Sequence, residues 1–282
     1  MSLLERYPFI RCPNCLGELM ARSDILSCDA CRIDYGVQEG TPILCVESEQ
    51  IENNMNAIQR ARTYRVDWSR LARTNPRKAL LSREYDAFND DIRSLFDTKG
   101  FFLDIGLNPK TYFYDLYSKE LSAVDLVRLD LDPSKHPDIC GDLYLLPISD
   151  NSIGCITCLS VLEHVPNPFA AVEEMHRVLS PNGLLYIWVP WLWLHHDPLD
   201  CFRFSHQAFD SLLHMFSNVT VYFGHGGLLN SIRGLLEPLH HSGESRRGLS
   251  EFMSTLEEQL KGPLNHNYQW DNPAGHAVMA RK

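Results

Sequence analysis

From about residue 99 onward the chain alternates short apolar runs with amphipathic stretches. The runs "FFLDI" from residue 101, "DLVRLDL" from 125, "GCITCLSV" from 154 and "GLLYIWVP" from 183 read as strands one, two, four and five. Between the last two, "NPFAAVEEMHRVL" carries apolar residues at helical spacing. This alternation predicts βαβ units and a doubly wound α/β sheet.

In such sheets ligands bind beyond the carboxyl ends of the strands, near the point where strand order reverses. The residues to watch therefore stand just after each strand. The first strand leads to Asp104, Gly106 and Asn108, and the second to Asp130 with Asp132 close behind. A carboxylate at Asp130 can accept both hydroxyl hydrogens of a ribose. "CGDLYLLP" puts Asp142 and Leu143 at the next strand end, where an acid beside an apolar residue suits the amino group and face of an adenine.

Ahead of the sheet the pattern changes. Cys12, Cys15, Cys28 and Cys31 form two C-x2-C pairs, and each tight turn presents two sulfurs to one ion. Two such turns complete a tetrahedral thiolate site suited to zinc, with no position left for water, so the metal is expected to be structural. A module this short needs the metal to fold. "IDYGVQEGTPILC" closes it as strand, turn and strand near Cys45, a residue outside the paired spacing and expected to be a buried small apolar side chain. The expected organisation is a zinc ribbon over 1–48, a helical basic connector over 49–98 and the sheet domain over 99–282.

The connector holds eight basic residues and one acid, Asp67, between Arg60 and Arg83. Two readings fit it. One is a solvated pair of helices broken near Asn75 and Pro76. The other is a docking surface for an anionic substrate such as RNA, a nucleotide-sugar or a phosphorylated lipid carrier.

Composition narrows the partners. The 282 residues, 44% of them hydrophobic, suffice for one full α/β core and a small extra module. A formal net charge of −10 repels nucleic acid and anionic membranes unless a local basic patch intervenes. "MSLLERYPFIRC" is charged where a signal peptide would be apolar, and the longest apolar run, "GLLYIWVPWLWL", falls well short of the roughly 20 residues that span a bilayer. A cytoplasmic chain without membrane insertion is expected. Nine cysteines suit that compartment if some bind metal.

Residues 101–223 resemble a class I S-adenosylmethionine-dependent methyltransferase of the type 11-like branch that opens "D-I-G-x-G-P". The landmarks are "GDLYLLP", "VLEHVPNP", "EMHRVLSPNGLLYIWVP" and "HHDPLDCFRFS", in that order. "GHAVMARK" resembles the final antiparallel strand, which leaves about 224–272 as an insertion. Residues 10–46 are similar to the zinc-ribbon family whose members activate methyltransferases as separate subunits or sit fused in front of them. The resemblance implies a Rossmann-like seven-stranded sheet and S-adenosylmethionine as cofactor. It assigns Asp104, Gly106 and Asn108 to the methionine end, Asp130 to the ribose, Asp142 and Leu143 to the adenine, and Ser160 to the cofactor edge.

The implied reaction is in-line displacement at the sulfonium methyl group, so the protein aligns the nucleophile and handles its proton. His164, His195 and His196 are the proton-handling candidates. Arg203 is expected to pair with Asp200 and hold the loop between them. Similar enzymes that bind magnesium do so through Glu-x-x-Glu-His; here Ser160 fills the first position, and no catalytic magnesium is expected. Cys155, Cys158 and Cys201 read as packing residues. Asn108 replaces the family's second glycine; asparagine tolerates left-handed backbone best after glycine, while Pro109 biases it toward extended geometry. Three functions follow: methylation of a small-molecule or saccharide acceptor, methylation of RNA through the Arg60 to Arg83 segment, or a methyltransferase-like scaffold without catalysis.

Overall fold

The computed structural model describes residues 2–45, 80–82, 85–106, 112–197, 199–223 and 275–282, with isolated positions at 248, 251, 252 and 255. Asn108, most of the Arg60 to Arg83 connector and most of the 224–272 insertion lie outside the described residues.

Four antiparallel strands open the chain: β1 (Met20–Arg22), β2 (Ile25–Cys28), β3 (Ile33–Gln38) and β4 (Thr41–Leu44). After them come β5 (Leu80–Ser82), β6 (Phe101–Ile105), β7 (Leu126–Asp130), β8 (Ile139–Gly141), β9 (Ile153–Leu159), β10 (Leu179–Pro190), β11 (Ser217–Phe223) and β12 (Gly275–Arg281). The order across the sheet is β1-β2-β3-β4-β8-β7-β6-β9-β10-β12-β11-β5. Strands β8, β7, β6, β9 and β10 run parallel, and β12 is antiparallel to both β10 and β11. The chain winds from β6 out to β8, then returns to the other side of β6 through β9, so the switch point falls between β6 and β9.

The doubly wound α/β architecture is thus present, but the sheet does not stop at seven strands. Among the described residues it reaches twelve, because short strands from outside the expected domain cap both edges. On one edge β4 pairs in parallel with β8, Ile43 opposite Cys140. On the other, residues 80–82 pair in parallel with Thr220–Tyr222. That strand lies in the second half of the connector, expected to be helical; a three-residue segment, Leu-Leu-Ser, has no period of its own, and pairing to an open edge decides it.

The cysteine-bearing segment is built into this edge. Tyr7, Phe9, Ile10, Leu26, Tyr35 and Leu44 share one buried cluster with Leu103, Leu129, Ile139 and Ile148. The Phe9 and Phe101 rings meet at 4.6 Å, Ile10 bridges Ile148, and the Tyr7 hydroxyl donates to Asp138 at 2.9 Å. Each fully buried apolar side chain contributes roughly 2 kcal/mol, so the two parts hold each other in place.

Strand β9 is buried at every position, as expected for a strand covered on both faces. The helix Pro168–Val178 starts where Asn167 caps the Ala170 amide and Pro168 sets the first turn. It buries Ala171, Val172, Met175 and Val178 against the sheet. Strand β10 begins at Leu179, earlier than the apolar run suggested, because a register shift between Leu179 and Leu184 takes "SPNG" into the strand as a bulge. The opposite face is aromatic: Phe96, Phe102, Phe113, Tyr117 and Tyr186 pack there.

Candidate active site

The carboxyl ends of β6, β7, β8 and β9 bring Asp104, Gly106, Asp130, Asp142 and Ser160 to one side of the sheet. Asp104 is buried, and Thr157 Oγ1 donates to it at 2.6 Å while the Tyr114 hydroxyl donates to its other oxygen. Burial pushes its carboxyl up to about 6. With both oxygens engaged, Asp104 shapes the turn that follows. Gly106 sits there at φ +80°, and a Cβ at this position would lie 2.2 Å from Val161 Cγ2. Only glycine fits.

Asp130 is 6% exposed, with one oxygen 2.9 Å from Lys135 Nζ and the other accepting the Asp132 amide at 2.9 Å. Lys135 is half exposed, so it can withdraw from a ligand hydroxyl. Asp142 accepts the Tyr144 amide at 2.9 Å and caps the short helical turn that carries Leu143. Leu131, next to Asp130, is 61% exposed and is the apolar surface nearest that carboxylate in sequence. Its apolar character directly after the acid was the signal available in the sequence. Ser160 directly follows β9 at φ +55°, with its amide bound to the Trp188 carbonyl at 2.9 Å.

A second group lies beyond β9 and β10. Glu163 is wholly buried, and burial pushes its carboxyl up to about 7. The His164 and His196 rings meet nearly edge to face, centroids 5.0 Å apart, while His195 is exposed. Of the three histidine candidates the structure therefore groups two. Asp200 accepts a bidentate pair of bonds from Arg203 and also the His196 amide at 2.9 Å. Arg203 further donates to the carbonyls of Leu194 and Phe202, so it pins both sides of the loop as expected. That bidentate pairing holds the Asp200 carboxyl well below the usual range.

At the other end, Cys12, Cys15, Cys28 and Cys31 place one sulfur each within 4.8 Å of the others. The Asn14 amide and the Gly17 backbone N–H donate to Cys31 and Cys15 sulfurs at 3.1 and 3.4 Å, and the Tyr35 hydroxyl lies 3.2 Å from Cys12. The spacing and the surrounding donors fit a tetrahedral thiolate ion. Cys45 is not an isolated apolar residue: it is half buried with its sulfur 3.6 Å from that of Cys140. Cys155 and Cys158 are buried within β9, as packing requires, whereas Cys201 is exposed and does not pack in the core. No helix among the described residues is long and apolar enough to cross a membrane.

Residues 103–187 match the methyltransferase domain family model. That segment, under a third of the chain, is similar to a methyltransferase domain. The match runs from β6 into β10 and contains the carboxyl ends of β6, β7, β8 and β9. Among curated relatives, a 37.1 kDa protein of transposon TN4556 from Streptomyces fradiae is 44% identical over 50 residues, 18% of this chain and 14% of that protein. Demethylmenaquinone methyltransferase of Staphylococcus epidermidis is 44% identical over 45 residues, 16% of this chain and 19% of its own length. The chain thus spans less than a fifth of either relative. A crystal structure of a SAM-dependent methyltransferase from Archaeoglobus fulgidus superposes with TM-score 0.46 at 16% identity, over 70% of this chain and 92% of that one.

Proposed function

We propose that this methyltransferase uses S-adenosylmethionine and transfers its methyl group to a small-molecule or saccharide acceptor. The observation that carries the reading is the forced glycine at the switch point. At Gly106 the backbone turns left-handed and packs against the Val161 side chain, with Asp130 and Asp142 at the neighbouring strand ends.

Asp130 would hold the ribose hydroxyls once Lys135 withdraws, Asp142 and Leu143 the adenine, and the Gly106 turn with Asn108 the methionine end. Bound there, the donor supplies a methyl group already activated by the sulfonium charge. The protein's own task is then alignment of the nucleophile and care of its proton. His164 and His196 border the acceptor side. In each ring Nδ1 faces only acceptors, which leaves Nε2 as the basic nitrogen. The four N-terminal cysteines would hold a structural zinc ion at the sheet edge. The net charge of −10 supports a small acceptor over RNA.

Transfer of labelled methyl groups to hydroxylated small molecules, saccharides and RNA tests this. Label entering the first two classes is expected. Salt-sensitive labelling of RNA alone would overturn the acceptor class.

A further inference from the structure

Glu163 poses a problem that the methyl-transfer reading does not solve. Its side chain is wholly buried, yet among the described residues neither carboxylate oxygen has a hydrogen-bond partner. Burying a carboxylate without a partner is costly. The nearest basic groups are the two rings already described: His164 Nε2 lies 3.7 Å from Glu163 Oε1, too far for a hydrogen bond. Glu163, His164 and His196 each place one donor atom within 4.8 Å of the others.

Both rings are held as ligands are held. His164 Nδ1 meets the Leu199 carbonyl, which can only accept, so this nitrogen carries the proton and Nε2 keeps its lone pair. His196 Nδ1 faces the Leu194 carbonyl at 3.2 Å and Asp200 Oδ2 at 3.3 Å, with the same consequence. Asp200 is fixed in turn by Arg203. A carboxylate or carbonyl behind each imidazole fixes the tautomer and raises ligand basicity, the outer-shell arrangement of metal-bound histidines. The Glu163 carbonyl accepts the Cys201 and Phe202 amides at 2.7 and 3.1 Å, tying the His196 loop to the Glu163 turn.

We propose that Glu163, His164 and His196 form a second metal site, for a divalent first-row transition ion of the zinc class. Two imidazoles and one carboxylate favour such an ion over magnesium, which prefers an all-oxygen shell. This differs from a Glu-x-x-Glu-His magnesium site, since Ser160 supplies no carboxylate and the third ligand comes from the loop after β10. Coordination takes up both Nε2 lone pairs, so in the metal-bound form the rings no longer accept protons, and three protein ligands leave a coordination position for water. Asp197, exposed and 3.7 Å from His164 Nε2, stands beside it.

Zinc titrated into the full chain, with metal per chain counted after desalting, tests the site independently of methyl transfer. The wild type should retain one equivalent more than His196→Ala and Glu163→Gln, with the ribbon cysteines intact in all three. Asp200→Asn should weaken that equivalent about 10- to 100-fold. His196→Gln, which keeps a polar side chain in an already part-exposed position, serves if the alanine variant misfolds. Equal zinc content in wild type and all variants would overturn the proposal, whether or not S-adenosylmethionine binds.

Discussion

Thr157 and Asp104 face each other across the β9–β6 pair as register partners, and the Thr157 hydroxyl donates to the Asp104 carboxylate at 2.6 Å. The bond crosses the sheet at the point where strand order reverses, directly before the Gly106 turn. A buried acid in that position carries a pH signature. Burial pushes its carboxyl up to about 6, against about 3.9 in an unfolded chain. The folded state therefore binds the extra proton between those values. The stabilisation is complete below about pH 4 and is lost as pH rises through 6, on the order of 3 kcal/mol. Urea unfolding from pH 4 to 7 should show this slope in the wild type and a shallower one in Asp104→Asn, where the raised Glu163 carboxyl still contributes.

Gly106→Ala should fail at the donor site more than in the fold. The new methyl would sit 2.2 Å from Val161 Cγ2 at a φ of +80°. Moving Val161 and keeping the left-handed backbone costs about 1–3 kcal/mol. The expected result is a modest drop in melting temperature with loss of S-adenosylmethionine binding. Adding Val161→Ala should recover part of the stability, because it removes the contact but not the backbone strain.

Asp130 and Lys135 make opposite predictions. Asp130→Ala removes charge-assisted bonds to the ribose and should weaken donor binding by at least about tenfold. Lys135→Ala removes a partner that must withdraw for the ribose to bind, and should leave affinity unchanged or improved. Equal weakening by both substitutions would show that the ion pair itself is part of the binding surface.

Metal removal should be felt far from the cysteines. Phe9 packs on Phe101, and β4 pairs with β8, so collapse of the thiolate site exposes the edge of the main sheet. Chelation under reducing conditions, or Cys15→Ser, should lower the melting temperature of the whole chain in a single transition. A ribbon that melts alone, with the main transition unmoved, would contradict this coupling.

The placement of the candidate residues was legible because their spacing is local. Asp104, Asp130 and Asp142 follow apolar runs directly, and the paired cysteine spacing announces four convergent sulfurs. What was not legible depends on pairings that no local pattern encodes. Leu80–Ser82 is too short to show a period, and only the open edge of β11 makes it a strand. Cys45 looks isolated until β4 aligns with β8 and brings its sulfur to Cys140. The grouping of Glu163 with His196 likewise depends on a loop that Asp200 and Arg203 fold back. The bulge at Leu179 hid the start of β10 because "SPNG" reads locally as a turn.

Calorimetric titration of the full chain with S-adenosylmethionine reads the donor site itself. Saturable binding at one site per chain is expected, lost in Gly106→Ala and weakened in Asp130→Ala. A folded wild-type chain that gives no heat of binding and no shift in melting temperature at millimolar donor would contradict it.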